Sequence, residues 1–100
     1  MKYVDWNAAK NEILKLERGI SFEEIMEAFL DSGLLDVISH TKKKYLHQKM
    51  IIVNSNNYVY LIPFVEDEEK VFLKTIIPSR KATKYYLFTK TKKWVKSILN

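Results

Sequence analysis

The residues best suited to bind a phosphate group lie close together near the carboxyl end of the chain. Arg80 is followed by Lys81 and Lys84, and a guanidinium binds phosphate through two parallel hydrogen bonds without losing its charge. Ser79 is a favourable helix cap, so the pattern predicts that Arg80 begins a helix, where backbone amides also favour anions. Two interpretations of Arg80 stay open, a phosphate contact and a surface residue of a structural cap.

The charge of the chain is unevenly distributed. Residues 1–69 contain 8 Lys and Arg against 12 Asp and Glu, whereas residues 70–100 contain 9 Lys and Arg and no acidic residue. A basic end of this kind attracts polyanions, because phosphate contacts release counterions. The further candidates for contact with a nucleic acid are Arg18, Lys49, Lys74, Lys90, Lys92 and Lys93. Lys74 interrupts an apolar stretch, so it faces either solvent or a basic groove.

Candidates for moving protons are fewer. His40 and His47 flank the run 42–44 of three lysines; histidine is the usual proton carrier near neutral pH, although a loop histidine is also commonly just exposed. Tyr85 and Tyr86 point about 100° apart on a helix, so we expect one in the core and the other near the basic surface. A tyrosine there could stack on a base or donate a proton. The chain contains no cysteine, and we expect neither a metal nor a cofactor.

Apolar periodicity predicts two helices in the first third of the chain. The first extends over Asn7–Arg18, capped by Asp5 or Asn7 and ended by Gly19. Its predicted apolar stripe consists of Ala9, Ile13 and Leu16. The second begins at a capping box, Ser21–Glu24, and ends at Ser32 and Gly33.

The pattern of the remaining residues predicts strands and a carboxyl-terminal helix. The predicted strands are Leu34–Ser39, Gln48–Asn54, Tyr58–Phe64 and Val71–Ile77. Short turns favour an antiparallel meander, with Asn56 and Asn57 tolerating positive φ, and Pro63 is expected at an edge or a strand end. The last ten residues extend the helix that Ser79 caps or form another.

This order predicts an α+β fold in one domain spanning residues 1–100. It consists of two amino-terminal helices, a four-stranded antiparallel sheet and one or two carboxyl-terminal helices. The strands are apolar on both faces, so helices packed on one face leave the other for a partner.

Two segments resemble the BrnT family of toxins. The first comprises Asp5-Trp6, Lys10-Asn11 and residues 18–24; the second is Ile76–Lys84, which resembles the family's last strand and the Arg-Arg-Ala-Thr start of its following helix. The resemblance implies a RelE-like fold and the toxin half of a bacterial type II toxin–antitoxin system. Arg18 stands where the family commonly has a histidine, so it is either a substitute for that side chain or a cation that complements the helix dipole.

The resemblance further implies an endoribonuclease that uses the 2′-hydroxyl of its substrate and needs no metal. Its catalytic candidates are then Arg80, Lys81, Lys84, Tyr86 and His47. Its partners are mRNA, on or off the ribosome, and a cognate antitoxin, in a homodimer or a toxin–antitoxin hetero-oligomer. The absence of cysteine and of a long apolar segment predicts a cytoplasmic protein without a membrane partner. The alternatives are a non-catalytic nucleic-acid-binding domain and a module that binds an acidic protein.

Overall fold

The computed structural model describes residues 2–39 and 49–89. The strands in these ranges are β1 (Tyr3–Trp6), β2 (Leu34–Ser39), β3 (Lys49–Ser55), β4 (Tyr58–Glu66), β5 (Lys70–Leu73) and β6 (Ile77–Pro78). The helices are α1 (Ala8–Arg18), α2 (Phe22–Leu30) and α3 (Arg80–Thr83), and α3 continues as a π-helical segment, Lys84–Thr89. The α+β class is therefore as predicted, but the layout of the sheet differs.

The described strands form one mixed sheet of six rather than an antiparallel sheet of four. The order is β1-β5-β4-β3-β2, and β6 pairs with β4. β1 runs parallel to β5, with Tyr3 opposite Lys70, and the other pairs are antiparallel. β1 was not predicted because it is only four residues long and its partner strand lies 67 positions later in the chain, with Lys70 opposite Tyr3.

The predicted strand Val71–Ile77 is interrupted in the structure. Leu73 lies opposite Phe64 and Ile77 lies opposite Leu61, so residues 74–76 face only residues 62–63 of β4. This extra residue makes the junction of β5 and β6 a bulge. The bulge was not predicted, because the residues on both sides of it are apolar and the segment therefore has the pattern of one continuous strand.

Pro63 lies inside β4 and not at its end, contrary to expectation. Its neighbour across the bulge is Lys74, whose backbone N–H donates to the Pro63 carbonyl at 2.8 Å. In an antiparallel strand the N–H and C=O of one residue point to the same side. The donor that proline lacks would therefore face the bulge, where proline is tolerated within a sheet.

Helices α1 and α2 pack on one face of the sheet. The core there consists of Leu14, Ile20, Phe22, Ile25, Ala28, Ile51, Val53, Ile62, Phe64, Leu73 and Ile76. The stripe predicted for α1 is wrong, because Ile13 is 45% exposed and Leu16 is 88% exposed. Leu14 and Asn11 face inward instead.

The orientation of α1 is set by Asn11, which is buried although polar. Its carbonyl oxygen accepts from the Phe22 backbone N–H at 2.8 Å, and its amide donates to the Glu23 carboxylate at 2.7 Å. The Ser21 hydroxyl accepts from the Glu24 backbone N–H, and Gly19 has a φ of 65°, both as predicted. Asn11 thus fastens α1 to the first turn of α2.

The opposite face of the sheet is crossed by α3 and its π-helical continuation. Val59 and Ile52 are buried but do not belong to the core under α1 and α2. Asp36 pairs with Ile52 and so lies on their face. The hydroxyl of Tyr86 donates to Asp36 at 3.2 Å. The expectation that the helices pack on one face is therefore wrong.

We expect Asn11→Ala to lower the free energy of unfolding by about 1 to 3 kcal/mol, because the buried Phe22 amide loses its acceptor. Urea denaturation of the full chain measures the change. Glu12→Ala is the matched control on the same helix, since it removes only an exposed ion pair with Lys15 and is expected to cost less than about 0.5 kcal/mol. Equal losses in the two variants would contradict the role of Asn11.

The same variant has a second readout in the pKa of Glu23. The hydrogen bond from Asn11 is the largest of the causes that lower this pKa. A carboxyl with a lowered pKa contributes stability above its unfolded pKa and loses that contribution as the pH falls through the folded value. Asn11→Ala should raise the Glu23 pKa in an NMR titration of the carboxyl, and an unchanged value would show that the contact is absent in solution.

Candidate nucleic-acid interface

Arg80 lies where the chain leaves the sheet and enters α3. The backbone N–H of Ser79 donates to the Val59 carbonyl at 3.0 Å, which fixes this point on β4. The Ser79 hydroxyl accepts from the Ala82 backbone N–H at 3.0 Å, so Ser79 is the predicted cap and Arg80 is the first helical residue. Arg80 is exposed. Its backbone is therefore fixed while its guanidinium is open to solvent.

Thr83 holds the inner side of α3 against β4. Its hydroxyl accepts from the Val59 backbone N–H at 2.8 Å and donates to the Ser79 carbonyl at 2.7 Å. Thr83 is buried, whereas Lys81 and Lys84 are exposed. This contact was not predicted from the sequence; its signal is a hydroxyl residue four positions after the capping serine.

Arg18 binds the bulge between β5 and β6. Its guanidinium donates to the carbonyl of Ile76, and Ile76 is fully buried. The contact joins the end of α1 to a residue only four positions before Arg80. At about 3.3 Å per extended residue, the backbones of Ile76 and Arg80 are at most roughly 13 Å apart. The two arginines therefore flank the same short strand, β6.

Lys74 lies in the bulge and is exposed. It occupies the irregular segment between β5 and β6, close in sequence to the carbonyl that Arg18 binds. Five candidate residues therefore lie on the segment from the bulge to the beginning of the π-helical continuation of α3 or contact it, and we name this set the basic corner. It consists of Arg18, Lys74, Arg80, Lys81 and Lys84.

The basic corner has no acidic partner within residues 2–39 and 49–89. The ion pairs in these ranges are Lys2–Glu66, Lys15–Glu12 and Lys49–Glu66. None of them includes a residue of the corner. Its positive charges are therefore available to an anionic ligand.

Lys49 is not brought to the basic corner. Its amine contacts the Glu66 carboxylate at 2.6 Å, and Lys2 contacts the same carboxylate at 3.1 Å. Hydrogen bonds from Lys49 and then Lys2 lower the pKa of Glu66. Lys49 lies opposite Phe64 near the end of β4, whereas β6 pairs with Tyr60 and Leu61 near the beginning of that strand. The backbone of Lys74 contacts Pro63, between these two points.

Tyr86 is the more buried of the two adjacent tyrosines, as Tyr85 is 58% exposed. Burial and then the hydrogen bond to Asp36 raise the pKa of Tyr86. A phenol with a raised pKa stays protonated near neutral pH, so it could donate a proton but not accept one. Asp36 is a second residue that the sequence analysis missed; its signal is a carboxylate inside an apolar strand.

The remaining candidates His47, Lys90, Lys92 and Lys93, and also His40, lie outside the described residues. In the ranges that are described, no group of three or more His, Cys, Asp or Glu side chains is placed to hold a metal ion. No helix in those ranges has the length and apolarity to cross a bilayer. Comparisons with protein-family models, with curated proteins and with solved structures found no match to this chain.

We expect Arg18→Ala to lower the free energy of unfolding by about 1 to 3 kcal/mol, because the buried Ile76 carbonyl loses a charged donor. Lys15→Ala is the matched control, since Lys15 is a cation of the same last turn of α1 and shares any effect of the helix dipole. Denaturant unfolding of both variants gives the comparison. A similar loss of unfolding free energy in Lys15→Ala would show that Arg18 stabilises the protein only through the helix dipole.

Proposed function

We propose that this protein is the toxin of a bacterial type II toxin–antitoxin pair, a BrnT-like ribonuclease of the RelE-like superfamily acting in the cytoplasm. The observation that carries the proposal is the basic corner, whose five cations have no ion pair in the described parts of the chain. The resemblance of residues 18–24 and 76–84 to the BrnT pattern supports it. A cognate antitoxin that covers the corner would neutralise the toxin.

The proposed reaction is metal-independent cleavage of mRNA. The 2′-oxygen attacks the neighbouring phosphorus and loses its proton, while the bond from phosphorus to the 5′-oxygen breaks and that oxygen gains a proton. The products are a cyclic phosphate and a 5′-hydroxyl. The protein has to hold the phosphate, stabilise the developing charge and move the two protons.

The corner provides groups for the first two tasks. The Arg80 guanidinium would bind the scissile phosphate, with Lys81 and Lys84 adding positive charge. Tyr86 lies roughly 9 Å farther along the helix axis, and its protonated phenol is a candidate donor to the leaving 5′-oxygen. His47 is the other candidate for a proton carrier.

Nucleic-acid binding without cleavage is the second candidate function. The observation that favours it is the engagement of the Tyr86 hydroxyl by Asp36. On this alternative the basic corner binds RNA and blocks other proteins from it.

Cleavage of a defined RNA by the purified chain tests the proposal. Arg80→Ala is expected to reduce the cleavage rate by about 100-fold or more, the usual effect of removing a group that stabilises transition-state charge. Arg80→Lys should recover only part of the rate, because an amine lacks the bidentate geometry. Lys2→Ala is the matched control, as it removes one cation that pairs with Glu66 at the end of β4, away from β6, and its rate should stay unchanged.

The possible results separate the candidate functions. Cleavage that survives in Arg80→Ala would contradict the catalytic role of Arg80. RNA binding without cleavage by the wild-type chain would establish the second candidate. Binding that persists at about 200 mM salt with an acidic protein but not with RNA would favour a protein partner. Growth arrest on expression, relieved by the product of a neighbouring gene, would support the toxin–antitoxin pair.

A further inference from the structure

Two large aromatic side chains are exposed on the π-helical segment that continues α3. Tyr85 is 58% exposed and Phe88 is 61% exposed. Both follow the basic corner directly in the chain. Their rings offer flat apolar surfaces to solvent beside a group of cations.

Each of the two rings lies about one helical turn after an amine of the basic corner. Lys81 lies four positions before Tyr85, and Lys84 lies four positions before Phe88. Residues at this spacing lie on the same side of a helix, and all four side chains are exposed. We name these four residues the aromatic–lysine strip.

The ring of Tyr85 is held in place without being covered. It contacts the Tyr86 ring with centroids 4.9 Å apart and planes at 84°, and the Tyr86 hydroxyl donates to Asp36 on β2. The chain of contacts therefore fixes Tyr85 to the sheet while more than half of its surface stays exposed. A ring that is fixed before binding loses less conformational entropy when a ligand stacks on it.

We propose that the aromatic–lysine strip binds single-stranded RNA, with one base stacked on Tyr85, another on Phe88 and neighbouring phosphates of the strand on Lys84 and Lys81. Cations beside exposed aromatic rings are the features by which proteins bind single strands. Bases inside a duplex are stacked on their neighbours, so their faces are closed to a protein ring. The inference rests on the proposed function and specifies its substrate as an unpaired strand.

An apolar segment of an antitoxin is the other ligand that exposed rings could take. The RNA strand is the better fit because the two amines have no acidic partner in the described residues. Each ring also has an amine one helical turn before it, which offers a phosphate contact beside the stacking surface. Loss of antitoxin binding is therefore kept as an outcome of the test.

Binding of a fluorescent single strand to the full chain tests the strip. The probe is a 2′-O-methyl RNA of about 12 nucleotides, which cannot be cleaved because its nucleophile is blocked, and a hairpin of the same composition is the duplex control. Tyr85→Ala and Phe88→Ala should each weaken single-strand binding by about 5-fold to 100-fold, the effect of losing one stacked base. Neither should change the dependence on salt, since no cation is lost.

Two further variants distinguish stacking from other effects. Tyr3→Ala is the matched control, because Tyr3 is 55% exposed but lies on β1, and it should bind like the wild type. Tyr85→Trp keeps a ring and should bind at least as tightly as the wild type, whereas Tyr85→Leu keeps only apolar bulk and should bind as weakly as Tyr85→Ala. These two variants also keep the test informative if an alanine variant unfolds.

The failure of the strip and the failure of the proposed function give different results. If the wild type binds neither probe, both proposals fall. If Arg80→Ala weakens binding but Tyr85→Ala and Phe88→Ala do not, the strip is overturned and the proposed function stands. If the aromatic variants bind RNA normally but are no longer neutralised by the antitoxin, the strip is a protein-binding surface and the proposal is wrong.

Discussion

The hydrogen bond from Arg18 to the carbonyl of Ile76 is the contact on which the basic corner depends. Ile76 is fully buried at the bulge, where the ladder between β4 and its neighbours is interrupted, and an unsatisfied carbonyl there would cost about 1 to 3 kcal/mol. The bond ties the end of α1 to the segment that leads into β6. Because β6 runs directly into α3, the same bond also helps to set where Arg80 leaves the sheet.

The fold turns the uneven charge of the sequence into a separation in space. Glu66, at the end of β4, forms ion pairs with both Lys2 and Lys49. Pro78, two residues before Arg80, lies opposite Tyr60, and Tyr60 and Glu66 are roughly 20 Å apart along the strand. This exceeds the Debye length of about 8 Å at physiological salt, so the acidic group of Glu66 does little to reduce the potential where Arg80 leaves the sheet; Lys74, beside Pro63, lies nearer to it.

Features set by neighbouring residues were predictable from the sequence, and features set by distant pairs were not. The caps at Asn7 and Ser21, the helix end at Gly19 and the positive φ of Asn56 and Asn57 are all as expected. The parallel pairing of β1 with β5 and the bulge between β5 and β6 could not be predicted from the sequence, because each depends on which strand is its neighbour in the sheet. The inward face of α1 was also missed, since the two hydrogen bonds of Asn11 to α2 decide it.

The features of the candidate site fall into the same two groups, those set by neighbouring residues and those set by distant pairs. The Ser79 cap and the helical start at Arg80 were expected, and they follow from residues within one turn. The contacts Thr83–Val59, Tyr86–Asp36 and Arg18–Ile76 join residues 24, 50 and 58 positions apart. No local spacing encodes such contacts. The sequence therefore indicates which cations are candidates for phosphate contact, whereas the structure shows which contacts hold the segments that carry them.

The two arginines have different physical roles, and the difference bears on the proposed chemistry. Arg18 donates one N–H of its guanidinium to the Ile76 carbonyl, and a guanidinium has further N–H donors for an anion. An anion bound by those donors would therefore also stabilise the contact that Arg18 makes within the fold. Within residues 2–39 and 49–89 the Arg80 side chain makes no ion pair, so we expect its removal to leave the fold intact. Arg18 also stands where the BrnT family commonly has a histidine, and an arginine stays charged at every physiological pH. On the proposed function, phosphate binding at this point is therefore independent of pH, and the proton transfers have to be carried out by other residues, of which Tyr86 and His47 are the candidates.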